Sequence, residues 1–436
     1  MFSIDEDGAP GRNSQKSLRE RNLKEVFNLI HRAGRITRAE LVRRSGLSPS
    51  TVSSLVGELV RAETVQELGL ARPVPTSGRR PILLSIRADG RQIPVFSLGE
   101  HGISYTLYDL CDGVLDYVFR PCMPGSADGT LFRDAGSSYA AIIAEILEQQ
   151  SPSYRQDRAA ALLISYPGIY MEAEHRFLLT ATNTSFQMEV LTALERRLGL
   201  PVFIGNSSAS LAYAEKKRLE KDGGASEDLI YVNVCGGVGA GIILGDDVLT
   251  HRGRTAGEIG HMTIQLDGRP CPCGSRGCLE RYVNRNAILE EVRQEVARDT
   301  SGTHSEILRE LLSDTTLERI GSAYALGIPP VRDAVNRVAR WLSAGIYSAV
   351  NVTGIRRVVL GGLEALGTPF LETLRRLVSD NSARFLMRSV TIAHAHIRPE
   401  DEALGIAQYF VDKVFTIAAD SAPRNPSEHD MKEEKT

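Results

Sequence analysis

The sequence predicts an α/β protein in which a small helical head precedes a body of two lobes. The chain has 436 residues, which is too long for a single core of ordinary size. Residues 92–415 alternate between strand-like and helix-like segments, a pattern typical of layered α/β architectures. Residues 16–88 contain helical patterns separated by a tight glycine turn, which indicates a separate unit.

Composition and charge narrow the class of protein. Hydrophobic residues make up 42% of the chain and charged residues 24%, as in ordinary globular proteins. The acidic start around Asp5 and the lack of a long apolar run predict a cytoplasmic protein without a signal peptide or membrane span.

The small net charge of -3 conceals an uneven distribution. Residues 16–80 carry 13 Lys+Arg and 6 Asp+Glu, whereas the rest of the chain is acidic. A basic head favours contact with double-stranded DNA, because phosphate contacts supply most of the affinity that does not depend on sequence. A solvated basic face is the alternative.

Residues typical of helix ends predict the bounds of the first two helices of the head. Apolar residues recur at helical spacing from Leu18 to Ile30, and Ala33-Gly34 is typical of a helix end. Thr37 and Glu40 fit a capping box that opens a second, short helix ending near Ser45.

A third helix follows after the turn Gly46-Leu47-Ser48, with Ser48 as its N-cap and Pro49 at its first position. This spacing is that of a helix-turn-helix, whose later helix enters the major groove. A helical bundle that does not touch DNA is the alternative. The predicted DNA contacts from this helix are Ser48, Ser50, Thr51, Ser53 and Ser54.

A wing is predicted after the third helix. Gly78-Arg79-Arg80-Pro81 precedes a strand from Ile82 to Ile86, which resembles the return strand of a hairpin. Arg79 and Arg80 would reach phosphates or a narrow minor groove. A flexible basic linker is the alternative for these two arginines.

The body is expected to contain strands and helices in alternation. The predicted strands are Val95–Leu98, Ile103–Leu107, Ala160–Ser165, Val202–Ile204, Leu229–Val234, Ile242–Leu244 and Arg357–Leu360. The predicted helices are residues 137–149, 186–198, 208–220, 285–298 and 331–352.

The strongest motif in the body is a cluster of one histidine and three cysteines. His261 is followed by Cys271, Cys273 and Cys278 with glycine and proline between them. This donor set closes around a tetrahedral Zn(II) with no open position, so the metal would be structural. Buried free thiols are the alternative, and Cys111, Cys122 and Cys235 receive no role.

The motifs Gly257-Glu258-Ile259-Gly260-His261 and Cys271-x-Cys273-Gly-x-x-Gly-Cys278-Leu-Glu280 resemble the signature of the ROK family of repressors and sugar kinases, over residues 16–415. The resemblance implies a winged helix-turn-helix followed by a two-lobed, actin-like (sugar-kinase-like, ribonuclease H-like) ATPase fold. It also implies a zinc at the His/Cys cluster. The family's sugar-pocket positions fall on Asn183, Asn206, Glu258, His261 and Glu280.

The elements that a kinase of this family needs are degraded. Ser207 follows Asn206 where a kinase carries the aspartate that accepts the proton of the sugar hydroxyl, and a neutral hydroxyl is no substitute for that base. The phosphate loops fall on 97–101, which lacks the acid that orders Mg(II), and on 235–241, which lacks a threonine. We therefore expect no catalysis. An active sugar kinase with an accessory head is the alternative.

Together these features predict a transcriptional regulator, in the repressor branch, of genes for carbohydrate uptake or catabolism. A homodimer or dimer of dimers would bind a palindromic operator and respond to a sugar effector. Regulation by a transport-system protein is a further alternative. The predicted domains are residues 16–88 and 89–417, the latter with a zinc loop at 257–280, between disordered tails at 1–15 and 418–436.

Overall fold

The computed structural model describes most of the chain. The described residues are 14–70, 81–99, 102–121, 141–171, 176–179, 184–223, 227–251, 254–300, 303–380 and 390–415. Asn183, Arg79 and Arg80 lie outside these ranges, as do most residues of the two predicted tails. Ser14 and Gln15, assigned to a disordered tail from the sequence, instead open the first helix.

The head is three helices and a small antiparallel sheet. Its strands lie in the order β1-β3-β2, and β2 and β3 form the predicted wing hairpin. The elements are α1 (Ser14–Ala33), β1 (Ile36–Thr37), α2 (Arg38–Ser45), α3 (Pro49–Arg61), β2 (Val65–Leu70) and β3 (Ile82–Ile86). This arrangement confirms the winged helix-turn-helix.

The helix caps in the head follow the sequence with one correction. The Ser48 hydroxyl accepts a hydrogen bond from the Thr51 amide at 3.1 Å, and Pro49 opens α3. Thr37 accepts from the Glu40 amide at 3.3 Å. The reciprocal half of the predicted capping box is wrong, because the Glu40 carboxylate pairs with Arg44 at 2.5 Å instead of reaching back.

The first lobe of the body contains a mixed five-stranded sheet in the order β11-β7-β4-β5-β6. Strands β4, β7 and β11 run parallel, and β5 is antiparallel to both neighbours. A small antiparallel sheet joins β8, β9 and β10. The strands are β4 (Gln92–Gly99), β5 (Gly102–Asp109), β6 (Val114–Pro121), β7 (Leu162–Tyr166), β8 (Ile169–Met171), β9 (Arg176–Leu179), β10 (Thr184–Gln187) and β11 (Val202–Asn206). The helices are α4 (141–150) and α5 (Glu189–Leu198).

Helix α6 (Ser207–Lys221) leads into the second lobe, whose sheet has the order β14-β13-β12-β17-β18. Its strands are β12 (Leu229–Val234), β13 (Val238–Leu244), β14 (Asp247–Val248), β17 (Arg357–Gly361) and β18 (Thr391–His394), with a hairpin of β15 (Thr250–His251) and β16 (Arg254–Thr255). The helices are α7 (Glu280–Val283), α8 (Arg285–Arg298), α9 (Ser305–Ser313), α10 (Leu317–Ala325), α11 (Pro329–Thr353) and α12 (Gly367–Asp380).

The two five-stranded sheets have the same topology. In each, the first strand lies between an antiparallel second strand and a parallel fourth strand, and the third and fifth strands form the edges. This duplication is the two-lobed, actin-like architecture implied by the resemblance. The seven predicted strands and five predicted helices of the body correspond to observed elements, except that residues 137–140 of the first predicted helix lie outside the described residues.

The last element among the described residues is a helix that packs against both the body and the head. Helix α13 (Glu402–Tyr409) continues as a π-helical turn (Phe410–Val414), and we call residues 402–415 the terminal helix. Phe27 and Leu41 of the head share one buried cluster with Ile406 and Phe410 of the terminal helix. The head is therefore packed against the body. In the described part of the chain, no helix combines the length and apolar character that a membrane span requires.

The packing of the terminal helix on α6 predicts sensitivity at Gly405. A Cβ at this position would lie 1.9 Å from the Ser210 carbonyl oxygen. We expect Gly405→Ala to lower the free energy of unfolding by about 1–3 kcal/mol, because the helices must separate. Chemical denaturation followed by circular dichroism measures this change.

Gly57→Ala is the matched control for Gly405→Ala. Gly57 lies within α3, and the nearest atom to its added Cβ is an Arg61 guanidinium nitrogen at 3.5 Å. This substitution should raise stability by up to about 1 kcal/mol, since alanine favours helix. An unchanged stability in Gly405→Ala would contradict the close approach of the two helices.

Candidate ligand cleft and metal centre

A cavity of about 580 Å³ opens between the two lobes. The ends of β4, β7 and β11 line it from the first lobe, and the β12–β13 turn and the 257–261 loop line it from the second. The carboxyl ends of parallel strands commonly form ligand sites in α/β proteins. Three of the predicted sugar-pocket residues line this cavity: Asn206, Glu258 and His261.

Asn206 is held by the start of helix α6. Its Oδ1 accepts from the amides of Ser208 at 2.9 Å and Ala209 at 3.3 Å, so Asn206 is the N-cap of α6. Its Nδ2 donates to the Gly168 carbonyl at 3.0 Å, which ties the cap to the loop after β7. The positive end of the α6 dipole therefore points into the cleft.

The loop that carries Glu258 lies directly against β13. A Cβ at Gly257 would lie 2.0 Å from the Ala240 carbonyl oxygen, and one at Gly260 would lie 2.0 Å from the Val238 carbonyl oxygen. Gly257 also has a φ of 109°, in the left-handed region that favours glycine. Both glycines are thus needed for the backbone contact that aims Glu258 at the cavity.

Glu280 takes a different position from the one expected. Its carboxylate is buried and accepts from the Val238 amide at 2.9 Å, and it is not among the described residues that line the cavity. Burial, together with the charge of Glu280, raises the pKa of Glu258 to about 7. Glu280 therefore braces the cleft wall behind Glu258.

The predicted His/Cys cluster is assembled. The ligand atoms of His261, Cys271, Cys273 and Cys278 all lie within 4.8 Å of one another. Cys271 Sγ is 3.7 Å from His261 Nδ1, and Cys273 Sγ is 3.7 Å from Cys278 Sγ. This group could hold a metal ion, and His261 belongs both to it and to the cleft.

The loop between His261 and Cys278 folds back on itself. The Ile264 amide donates to the Gly277 carbonyl at 2.8 Å, and the Cys271 amide donates to the Ser275 carbonyl at 2.9 Å. A Cβ at Gly277 would lie 1.6 Å from the Gln265 carbonyl oxygen. The two sides of the loop are therefore in backbone contact.

The segments expected to be degraded phosphate loops also border the cleft. Ser207 is buried at the first position of α6 and lines the cavity. The segment 235–241 is a tight turn that continues into β13. The Arg285 amide donates a hydrogen bond to the Cys235 carbonyl at 2.8 Å and holds the turn in place. Gly99 lines the cavity, while residues 100 and 101 lie outside the described residues.

Acidic residues dominate the charged lining of the cavity. Among the described residues that line it, one arginine, Arg285, accompanies five glutamates: Glu258, Glu318, Glu364, Glu400 and Glu402. Sequence reasoning missed the last four, because they come from three separate segments without a motif. Only the acidic run Glu400-Asp401-Glu402 at the start of the terminal helix was a visible signal.

The predicted DNA-contacting residues form one end of α3. The side chains of Ser48, Ser50, Ser53 and Ser54 are exposed, and Thr51 is half-buried. The Ser48 hydroxyl lies 2.9 Å from the Ser50 hydroxyl and 2.8 Å from that of Thr51. The first turn of α3 thus presents a surface of small hydroxyl groups.

Two family models match the chain. The model of the ROK family matches residues 137–413, and the model described as winged helix-turn-helix DNA-binding matches residues 19–66. The first match covers more than half of the sequence, and the two together reproduce the predicted order of head and body.

Individual proteins show the same relationship. The xylose repressor of Caldicellulosiruptor bescii is 29% identical over 351 residues, covering 80% of this chain and 84% of the repressor. A crystal structure of a ROK family transcriptional regulator, a homologue of the E. coli MLC protein, aligns with a TM-score of 0.74 at 23% identity over 91% of this chain and 97% of its own.

A ROK family glucokinase from Streptomyces griseus, in complex with glucose and AMPPNP, aligns with a TM-score of 0.57 at 22% identity over 73% of this chain and 98% of its own. Both solved structures confirm the fold. The resemblance drawn from the signature motifs is confirmed by the family model, and the chain belongs to the ROK family.

Proposed function

We propose that this protein is a transcriptional repressor of carbohydrate genes that binds operator DNA through its head and a sugar in its cleft. The observation that carries the proposal is the union, in one chain, of an exposed helix-turn-helix and an interlobe cavity lined by Asn206, Glu258 and His261. The similarity to a xylose repressor over four fifths of the chain supports it.

The head supports DNA binding through its geometry and charge. The exposed hydroxyls at the start of α3 are placed where a recognition helix meets base edges. Arg79 and Arg80, which lie outside the described residues, remain predicted phosphate contacts. A homodimer or dimer of dimers would place two such helices on the half-sites of a palindrome, in the cytoplasm where the bacterial chromosome lies.

The cleft supports binding of an uncharged sugar. Glu258 and Asn206 approach the cavity from opposite lobes, where the Glu258 carboxyl can accept from sugar hydroxyls and Asn206 Nδ2 keeps one N–H to donate beside its bond to Gly168. Asn183 lies outside the described residues and remains a predicted contact, while Glu280 would contribute through the orientation of the cleft wall.

The same cleft argues against phosphoryl transfer. Ser207 occupies the position where a kinase needs a base, and losing such a base typically costs about 10²–10⁴ in rate. The acidic lining, which includes Glu318, Glu364 and Glu400, would oppose the binding of a nucleoside triphosphate. We therefore propose that the fold is used for sensing and not for catalysis.

The His/Cys cluster supports a structural zinc ion. With Zn–S bonds of roughly 2.3 Å, the sulfur atoms of a tetrahedral site lie roughly 3.8 Å apart. The separation of 3.7 Å between Cys273 and Cys278 Sγ fits that edge. Zinc would cross-link the two sides of the 261–278 loop, and through His261 it would hold one wall of the cleft.

The first test is selection of bound DNA. Purified protein is mixed with sheared genomic DNA of its source organism, and the retained fragments are sequenced. We expect a palindromic site near carbohydrate transport or catabolic genes. In fluorescence anisotropy with that site, Ser54→Glu should weaken binding at least tenfold, because a carboxylate would face the DNA phosphates.

Ser313→Glu is the control for the DNA experiment, since Ser313 ends α9 far along the chain and is exposed. It should bind the operator as the wild type does. Retention of no specific fragment, or equal weakening by both substitutions, would contradict the assignment of α3 as the recognition helix.

The second test separates sensing from catalysis. Calorimetry with D-xylose, D-glucose and N-acetyl-D-glucosamine should show binding of at least one sugar, and Glu258→Gln should weaken it about tenfold or more, because one of the two acceptor oxygens becomes an amide NH2. The exposed Glu290→Gln is the control. With Mg-ATP and the bound sugar, ADP release should stay at background.

Sugar-dependent ADP release would establish the kinase alternative. Operator binding without any sugar binding would instead favour control by a transport-system protein.

The third test concerns the metal. Elemental analysis should find one zinc per chain, and Cys278→Ser should lose most of it and lower the melting temperature, because the loop would lack its cross-link. Cys111→Ser is the control, since Cys111 is an exposed thiol outside the cluster. A metal-free wild type with the same melting temperature as a zinc-loaded sample would refute the structural role.

A further inference from the structure

The terminal helix touches both the cleft and the head. Its first residue, Glu402, lines the interlobe cavity, and its last turn contacts α1 of the head. Along its length it packs on α6, where Gly405 meets the Ser210 carbonyl and the rings of Tyr409 and Tyr213 meet edge to face at 5.2 Å. The terminal helix thus connects the lining of the cleft to helix α1 of the head.

At the cleft end, the carboxylate of Glu402 is only partly satisfied. Its Oε1 is buried and has no hydrogen-bond partner among the described residues. Burial raises the pKa of Glu402 to about 7, against the opposing effect of a hydrogen bond with Ser165. A buried polar atom that borders a cavity and lacks a partner indicates a missing donor, and a sugar hydroxyl would supply one.

At the head end, three polar residues on one face of α1 hold the terminal helix. Lys24 Nζ donates to the carbonyls of Val411 and, at 2.8 Å, Phe415. Asn28 Nδ2 donates to the Asp412 carbonyl at 3.1 Å. His31 Nε2 lies 3.0 Å from the Leu110 carbonyl oxygen, so the head also contacts the first lobe.

Asp412 joins this contact to helix α6. Its Oδ2 accepts from Tyr213 and Lys217 at 2.8 Å each, and its Oδ1 lies 3.7 Å from His31 Nδ1. Burial acts to raise the pKa of Asp412, but the charge and hydrogen bond of Lys217 outweigh it and hold the pKa below its usual value. Helix α6 begins at Asn206 in the cleft, so both helices run from the cavity to the head.

We propose that Glu402 is a ligand-contacting residue of the cleft and that the terminal helix transmits occupancy of the cleft to the head. The inference rests on the proposed function of the cleft as a sugar site, and it assigns to that site a contact outside the family motifs. The ligand class is an uncharged polyhydroxyl compound, because a carboxylate with a free lone pair accepts from O–H groups and repels anions.

The two ends of the terminal helix give separable tests in the full chain, with the selected operator and whichever of D-xylose, D-glucose or N-acetyl-D-glucosamine the wild type binds. Glu402→Gln should weaken sugar binding about tenfold in calorimetry, since one of the two acceptor oxygens becomes an amide NH2 that cannot accept. The control Glu372→Gln, on the exposed face of α12, should not. Equal sugar affinity in Glu402→Gln and the wild type would remove Glu402 from the site and leave the proposed function standing.

Lys24→Met tests the head end, because it keeps the aliphatic stem between Phe27 and Phe415 and removes the donor. Sugar affinity should be unchanged. The factor by which sugar alters operator affinity, roughly 5–150 for ordinary coupling, should fall at least about fivefold. Lys24→Gln keeps an N–H donor and should restore part of the response, and the exposed Glu25→Gln should behave as the wild type.

A full sugar response in Lys24→Met would overturn transmission through the terminal helix. If no sugar binds the wild type, the proposed function fails first and this inference falls with it. Circular dichroism of each variant verifies that the fold is retained.

Discussion

The close contact between α6 and the terminal helix is the constraint on which the rest of the structure depends. A backbone approach that leaves no room for a Cβ at Gly405 holds the two helices as one unit. One end of that unit supplies Asn206 and Glu402 to the cleft, and the other supplies Asp412 to the head contact. The position of the head therefore depends on the same packing that shapes the cavity.

On the second lobe's side of the cleft, the wall is formed by the loop that carries Glu258. The 257–261 loop is fixed by glycine contacts on β13, by the Glu280 carboxylate behind it and by the His/Cys cluster beyond it. These contacts add to apolar packing, because Ile259 of the same loop is buried in the core of the second lobe. The position of Glu258 in the cleft wall therefore depends on backbone contacts and apolar packing together.

Features set by neighbouring residues could be read from the sequence. The cap of α3 at Ser48 and Pro49 and the His/Cys motif depend on short spacings, and both are found as predicted. Strand β6 was missed because its outward side chains, such as Tyr117, are apolar and break the expected alternation. Glu402 and the partners of Lys24 were missed because those contacts arise between residues far apart in the chain, where local patterns carry no information.

The bond from Lys24 to the Phe415 carbonyl spans 391 positions of the chain. During synthesis the helix that carries Lys24 leaves the ribosome early, and its partner is among the last described residues to follow. At about 5–20 residues per second, roughly 20–80 s separate the two. This contact of the head cannot form until residue 415 has been synthesised, so a product terminated before that residue would carry a winged helix without the hydrogen bond that ties it to the body.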